Sequence, residues 1–251
     1  MAAVQSGRFR PYVYPVFTPA GHLVTQIAPA DHLHHLSIWM AHDHVNGVNF
    51  WAPETRAIVP TPKITLTETA TQLGSQGVEF RQRLAWVNGD GGTELQEIRT
   101  TTVRARPDGS VIDLACELRA FDRPVVLGQT KEAGIAVRVA DQIDVLDGGT
   151  IVDARGRRNE AETFDACADW VDYYGPVTGA AVAGLAFFPW PEFAGMPWFT
   201  RGYGPVTLNP WRQQAREIPA GGSFTLGARL VAHDGTCAEA GVAELYQRFR
   251  E

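Results

Sequence analysis

Cysteine is scarce in this chain of 251 residues. The three cysteines, Cys116, Cys167 and Cys237, lie far apart, and no CxxC pair is present. An odd number of widely spaced cysteines argues against a disulfide framework, and the missing CxxC spacing argues against a structural zinc site of the cysteine type. We therefore expect buried free thiols in a protein of a reducing compartment.

Basic blocks and long apolar runs are also missing. The formal net charge is −6 and the arginines are scattered, which argues against a nucleic-acid-binding surface. The most apolar run, residues 180–190, contains Gly184 and Pro189 and falls short of the roughly 20 residues that a membrane-spanning helix needs. No basic start followed by an apolar stretch marks a signal peptide. We therefore expect a cytoplasmic protein that binds neither nucleic acid nor membrane.

Several familiar catalytic motifs are absent from the sequence. It contains no phosphate-binding loop, no GxGxxG, no GxSxG and no HExxH. Each of these motifs would place a phosphate, a dinucleotide, a serine nucleophile or a zinc ion at a known point of a fold. Any candidate site must therefore come from other residues.

Alternating apolar and polar residues predict strands along most of the chain. The predicted strands cover residues 63–69, 77–87, 93–106, 111–118, 134–139, 170–174, 181–188 and 223–231. Because strands do not alternate with helices, the pattern favours an all-β antiparallel sandwich. Only residues 237–249 show an apolar stripe at helical spacing, which predicts a short C-terminal helix. No linker or repeat is visible, so we expect a single domain over residues 1–251.

Six of the seven histidines fall between His22 and His44. We expect residues 34–40 to form a strand, so that His34 and His35 face opposite sides. Three interpretations stay open. The imidazoles could transfer protons; they could bind a divalent metal, with His34 and His42 as ligands; or they could bond to the backbone and to nearby aspartates.

Three further segments carry candidate functional side chains. Glu132, beside Lys131 at the edge of a predicted strand, could act as a general base. Arg155 and Asn159 could hold hydroxyls or a carboxylate, and Asp172 alternates with core residues on a strand. The aromatic stretch 187–199 reads as a long loop whose rings could stack on a sugar, unless it packs over the core.

At several places the sequence resembles the PmoA-like family, a bacterial family of largely unassigned function. The resemblance rests on residues 10–16, 31–35, 45–51, 131–132, 170–176, 203–204 and 209–210. It implies a fold similar to the galactose mutarotase supersandwich, whose members bind or transform carbohydrates, often with a histidine acid and a glutamate base. The sequence departs from the family string at Leu33, where proline is usual, and at Leu36 and Ser37, where arginine and glycine are usual.

The leading hypothesis is a carbohydrate-active enzyme in which His34 or His35 exchanges a proton with the substrate and Glu132 takes the opposite proton. Candidate reactions are epimerisation, β-elimination and hydrolysis of a keto-glycoside. The expected substrate-binding residues are His42, His44, Asn46, Lys131, Arg155, Asn159, Asp172, Trp198 and Tyr203. The alternatives are a non-catalytic sugar-binding accessory protein and an oxygenase or lyase that needs a divalent metal. The expected partner is a small sugar or glycoside, and homo-oligomerisation stays open.

Overall fold

The computed structural model describes residues 2–53, 61–75 and 77–251. These residues form mostly antiparallel strands. In chain order they are β1 (Val4–Gln5), β2 (Tyr12–Val13), β3 (Ile38–His42), β4 (Lys63–Gly74), β5 (Gly77–Val87), β6 (Thr93–Arg106), β7 (Gly109–Arg119), β8 (Val125–Leu127), β9 (Ala133–Arg138), β10 (Thr150–Asp153), β11 (Val171–Pro176), β12 (Val182–Pro189), β13 (Phe199–Thr200), β14 (Pro205–Leu208), β15 (Arg216–Ile218) and β16 (Ser223–Asp234). The helices are α1 (Asn159–Thr163) and α2 (Val242–Arg250), with short 3-10 turns at Asp141–Ile143 and Pro191–Phe193.

Two main sheets make up a sandwich. One has eight strands in the order β10-β11-β12-β16-β7-β6-β5-β4, and the other has six in the order β1-β2-β3-β9-β14-β13. Val137 and Val206 of the six-stranded sheet face Val171, Leu185 and Phe187 of the eight-stranded sheet across the interior. The predicted all-β antiparallel sandwich with a short C-terminal helix is therefore confirmed.

Strand β9 lies at the centre of the six-stranded sheet and is buried along its whole length. It pairs with β3 on one side and with β14 on the other. A strand covered on both faces needs apolar residues at successive positions, which explains the run from Gly134 to Val137. β3, β9 and β14 thereby bring together three parts of the chain that are far apart in sequence.

Two predicted elements begin later than expected. The strand predicted over 34–40 starts at Ile38, because residues 32–35 form a turn in which His35 N–H donates to the His32 carbonyl. Ser37, at φ 57°, then interrupts the extended backbone. The predicted C-terminal helix starts at Val242, directly after Gly241, whose φ of 61° is left-handed.

The aromatic stretch 187–199 is more regular than the predicted loop. β12 continues to Pro189 because Phe187 and Phe188 pair with Leu230 and Arg229 of β16. The prediction of one long loop is wrong for these residues. Trp198 packs edge-on against Phe187 with its ring buried, so these two rings belong to the core.

All three cysteines are free thiols, but only Cys116 is buried. Cys167 is exposed in the irregular segment between α1 and β11, and Cys237 is partly exposed. The expectation of buried thiols is therefore wrong for Cys167.

Helix α2 packs against the outer face of the eight-stranded sheet, over β12 and β16. Val242 and Tyr246 bury their side chains in a cluster with Ala186, Phe188 and Val231. No helix among the described residues is long and apolar enough to cross a membrane.

Candidate functional site

A cleft of about 200 Å³ opens on the face of the six-stranded sheet that is turned away from the eight-stranded sheet. Val206 points into the interior of the sandwich, so its neighbours Pro205 and Thr207 point to the opposite face, where they line the cleft. The remaining lining residues are His32, His34, His35, Trp51, Lys131, Glu132, Phe199, Arg201 and Tyr203. The fold therefore brings His34, His35, Lys131, Glu132 and Tyr203 of the sequence-based hypothesis into one cleft.

The ends of β9 determine how the cleft is laid out. Glu132 directly precedes the first residue of β9, whereas Arg138 is its last residue. The Nη1 atom of Arg138 lies 3.4 Å from Nδ1 of His35. The turn of residues 32–35 (the histidine turn) and Glu132 therefore lie at opposite ends of β9, and side chains of both line the one cleft.

His32 is held by its neighbour Asp31. The Nδ1 atom of His32 lies 2.7 Å from Oδ2 of Asp31. Burial alone would raise the pKa of Asp31, but the hydrogen bond from His32 and the charge of Arg138 outweigh it and hold the pKa below its usual value. An ionised carboxylate can only accept, so Nδ1 carries the proton and Nε2 of a neutral His32 keeps its lone pair. This is the arrangement of a histidine oriented to act as a base.

His35 forms the buried floor beneath His32. Its ring stacks on that of His32 at 4.6 Å and on that of Trp39 at 5.4 Å. Since arginine only donates, the contact with Arg138 makes Nδ1 of His35 an acceptor. Burial, then the neighbouring His34 and His32, lower the pKa of His35 to about 2. His35 is therefore neutral at physiological pH and suits a supporting role better than proton transfer.

His34 lies beside the other two histidines at the cleft wall. Burial is the largest cause that lowers its pKa to about 4, followed by the charge of Arg10 and by His32. Its Nδ1 is buried and has no hydrogen-bond partner in the described part of the chain. His34 is thus a neutral imidazole at neutral pH, able to hydrogen-bond a ligand through Nε2.

Glu132 is positioned by a tight turn at the start of β9. Its N–H donates to Oγ1 of Thr130, and the carbonyl of Thr130 accepts from Nδ2 of Asn209 at 2.8 Å. Two residues later Gly134 adopts φ 97°, and a Cβ there would lie 1.9 Å from the carbonyl oxygen of Leu208. Only glycine lets β14 approach β9 so closely, and this close approach fixes the backbone that carries Glu132.

The hairpin of β13 and β14 supplies the opposite wall. The ring of Tyr203 stacks on His32 at 5.0 Å, and Cζ of Arg138 lies 5.2 Å from the ring centroid of Tyr203. Burial raises the pKa of the Tyr203 hydroxyl. Tyr203 is therefore a neutral side chain at the cleft wall, next to the histidine turn.

Three predicted substrate-binding residues lie outside the cleft lining. His42 is fully buried on β3, its ring is 5.1 Å from that of Trp211, and burial lowers its pKa to about 3. His44 is exposed, and its backbone N–H donates to Nδ1 of His42. Asn46 uses its amide to join Glu94 and the N–H of Val126. These contacts fix a loop and leave none of the three residues facing the cleft.

Four more predicted residues also take up structural positions. Arg155 is exposed, and its N–H donates to Asp153. Asn159 accepts the N–H of Ile151. Asp172 is buried 2.9 Å from Nε2 of His233, and Trp198 donates from Nε1 to the carbonyl of Ala168. Asn159, Asp172 and Trp198 thus use their side chains to satisfy a nearby backbone or buried polar group, whereas Arg155 contributes its backbone N–H.

A metal centre lacks a ligand set in the described residues. No group of three or more His, Cys, Asp or Glu side chains there could hold a metal ion. The proposed ligand pair separates because His34 lines the cleft, whereas His42 is buried against Trp211. The hypothesis of a metal at His34 and His42 therefore receives no support from the fold.

Six residues of the cleft lining were not named as site residues from the sequence, although Phe199 belongs to the aromatic stretch 187–199: His32, Trp51, Phe199, Arg201, Pro205 and Thr207. His32 could have been found, since Asp31 and His32 are adjacent in the densest part of the histidine segment. Arg201 follows the aromatic stretch but carries no local signal. Trp51 and Phe199 reach the cleft only through tertiary packing, as the 5.3 Å contact of Trp51 with Trp39 shows.

Comparison with known proteins corrects the family assignment. The chain matches the profile of a family of unknown function, DUF6807, over residues 2–247. The resemblance to the PmoA-like family, and with it the mutarotase-like assignment, is therefore wrong. No curated protein matches the chain significantly. Because the match covers nearly the whole sequence, the chain belongs to the DUF6807 family of unknown function.

Proposed function

We propose that the protein is an enzyme that moves protons on a small carbohydrate, with His32 and Glu132 as the acid–base pair. The observation that carries this proposal is the meeting of two groups in one cleft. One is an imidazole oriented by a carboxylate, His32 with Asp31, and the other is Glu132 from the far end of β9. Positioned acids and bases of this kind contribute roughly 10²–10⁴-fold each to a rate.

The walls of the cleft suit a sugar ring. Trp51, Phe199 and Tyr203 present aromatic rings among polar side chains, a mixture that can stack on C–H faces and bond hydroxyls. The volume of about 200 Å³ is below the ~300–1,000 Å³ typical of sites for drug-sized ligands. A single sugar unit is therefore the size of substrate that this cleft favours.

His32 would act as the base. Its Nε2 lone pair takes a proton from a hydroxyl or from a carbon next to a carbonyl, and the imidazolium that forms is stabilised by the Asp31 carboxylate. Neutral His34 would hydrogen-bond the oxygen on which charge develops. Glu132 would handle the second proton from the other end of the cleft. In an epimerisation, protonated Glu132 delivers its proton to the opposite ring face. In an elimination, or in a hydrolysis in which His32 deprotonates the attacking water, protonated Glu132 delivers its proton to the leaving oxygen.

This assignment moves the histidine role from His34 and His35 to His32. His35 is only 4 % exposed and is held by Arg138, so it cannot exchange protons with a ligand without leaving the floor of the cleft. His34 remains in contact with the cleft, but a pKa of about 4 makes it a poor acid and a weak base at neutral pH.

The test is turnover of a panel of monosaccharides, keto-sugars and simple glycosides by the wild type, His32→Asn and Glu132→Gln. We expect both variants to lose at least about 100-fold in kcat/KM. His22→Asn and Glu192→Gln, which lie outside the cleft, are matched controls and should keep wild-type rates. Sugar binding without turnover in the wild type would instead support the accessory-protein alternative.

A further inference from the structure

Arg201 is held rigidly beside the cleft. Its guanidinium carbon lies 4.7 Å from the ring centroid of Phe164 and 5.3 Å from that of Phe199. Its Nη1 donates to Oε1 of Glu160 at 2.5 Å, while Oε2 of Glu160 accepts the N–H of Gly202. The side chain is therefore fixed in plane and direction before any ligand binds.

One edge of this guanidinium is unused. Glu160 engages Nη1, whereas Nη2 makes no hydrogen bond within the described residues and Nε is buried without a partner there. Nε is covered by the surrounding chain, so Nη2, with its two N–H donors, is the part of this guanidinium that a ligand can reach. Arg201 thus presents Nη2 as a charged donor for an anionic group at the wall of the cleft.

Arg212 shows what the same edge takes when it is occupied. It lies near the same two rings, 5.1 Å from Phe164 and 5.5 Å from Phe199. Its Nε and Nη2 both reach one oxygen of the Asp165 carboxylate, Oδ1, at 2.6 and 2.5 Å. Two arginines in one aromatic setting therefore differ: Arg212 holds Asp165 through both Nε and Nη2, whereas Arg201, which lines the cleft, holds Glu160 through Nη1 and leaves Nη2 without a partner among the described residues.

The cleft lining holds one further cation and one further carboxylate. Lys131 is exposed at the end of the cleft that holds the Glu132 carboxylate, and Lys131 makes no ion pair in the described ranges. Asp31 is engaged by His32 and Arg138, and Glu160 by Arg201. His34 and His35 are neutral at physiological pH, so they do not repel a cation or attract an anion by charge.

We infer that the substrate is a sugar acid whose carboxylate binds Nη2 of Arg201. The inference rests on the proposed function for the site and adds the charge class of the substrate. A carboxylate fits better than a phosphate because Nη2 supplies two N–H donors, whereas a phosphate monoester has three terminal oxygens to satisfy.

The test is isothermal titration of the purified protein with glucuronate, galacturonate and gluconate. Each is compared with its neutral counterpart, glucose, galactose or the methyl ester, and with glucose 6-phosphate. We expect at least one acid to bind at least 10-fold more tightly than its neutral counterpart and than the phosphate. Arg201→Gln should abolish that preference while neutral-sugar affinity changes less than threefold. Arg201→Lys should retain part of the preference for the acid, because the positive charge stays but the planar guanidinium is lost.

Arg212→Gln is the matched control and should keep the acid preference. Thermal unfolding and circular dichroism of each variant separate a lost ligand contact from a lost fold, and Arg201→Lys remains informative if Arg201→Gln does not fold. The inference is overturned if no acid binds more tightly than its neutral counterpart, if the phosphate binds most tightly, or if Arg201→Gln keeps the preference.

The outcomes distinguish this inference from the proposed function. If acids bind through Arg201 but are never converted, the carboxylate-binding role of Arg201 is supported and the catalytic role of His32 and Glu132 is contradicted. If neutral sugars are converted in a His32- and Glu132-dependent manner and acids are not preferred, the catalytic role is supported and the carboxylate-binding role of Arg201 is contradicted.

Discussion

His233 and Asp172 form a buried pair inside the eight-stranded sheet, with Nε2 of His233 2.9 Å from Oδ1 of Asp172. Both side chains are at most 1 % exposed. Burial alone would lower the pKa of His233, but the Asp172 charge and hydrogen bond outweigh it and raise the pKa. This pair lies away from the cleft and concerns stability.

The raised pKa of His233 gives a pH dependence of known sign. A group whose folded pKa exceeds its unfolded value of about 6.5 contributes its full stability below that value and loses it as pH rises through the folded pKa. Asp172→Asn should therefore cost about 3–5 kcal/mol near pH 6, as breaking a buried pair does. Urea unfolding should show a smaller difference from wild type at pH 9. An equal difference at both pH values would contradict this account.

His35 and His42 should make the protein acid-sensitive. Their pKa values, lowered to about 2 and about 3 by burial, mean that the unfolded chain takes up protons first as pH falls below about 6.5. Each histidine then removes up to about 1.4 kcal/mol of stability per pH unit. We expect His42→Gln to flatten the fall of unfolding free energy between pH 6.5 and 4. If the pH dependence of the unfolding free energy, measured by urea titration, is unchanged from wild type, His42 does not cause the acid sensitivity.

Asp31 should act as a positioning residue for His32. Asp31→Asn keeps the size of the side chain but lets its amide nitrogen face Nδ1 of His32, which favours the wrong tautomer. We expect kcat on any substrate found to fall at least about 100-fold, with a smaller change in KM. The pH–rate profile should also lose or shift its acidic limb. Asp31→Glu should recover part of the rate, and a purely structural role would not produce that rescue.

Gly134 should be irreplaceable at the start of β9. Gly134→Ala places Cβ 1.9 Å from the Leu208 carbonyl at φ 97°, so strain and overpacking together should cost roughly 2–5 kcal/mol. Gly156→Ala is the matched control, because it has a similar φ of 77° but open space around Cβ. We expect it to cost only about 1–2 kcal/mol in urea unfolding. Equal costs for both variants would show that backbone strain alone decides.

The strands were predictable because their signals are local. The expected bounds 77–87 and 93–106 coincide with β5 and β6, where two-residue alternation continues up to the glycine-rich turn at 88–92. The start of β3 was not predictable in the same way. The alternation continues through His34 and Leu36, but a turn and the positive φ of Ser37 end the extended backbone there.

The site was predictable only in part, for a related reason. Histidine density identified the histidine turn, and the charged residues before a strand identified Glu132. Their meeting in one cleft depends on the pairing of β3 with β9, some hundred residues apart in the chain. That pairing also buried His42 on β3. The hairpin that brings Arg201 to the cleft depends in turn on the pairing of β14 with β9.

Solvent-deuterium incorporation tests the proton-transfer proposal most directly, because it detects proton exchange whatever product is formed. Keto-sugars and sugar acids incubated with the protein in D₂O are followed by NMR and mass spectrometry, in the wild type, His32→Asn and Glu132→Gln. We expect the wild type to exchange or convert at least one sugar, and each variant to slow that reaction roughly 10²–10⁴-fold. Wild-type rates in both variants, or no deuterium uptake and no conversion by the wild type across the panel, would contradict the account.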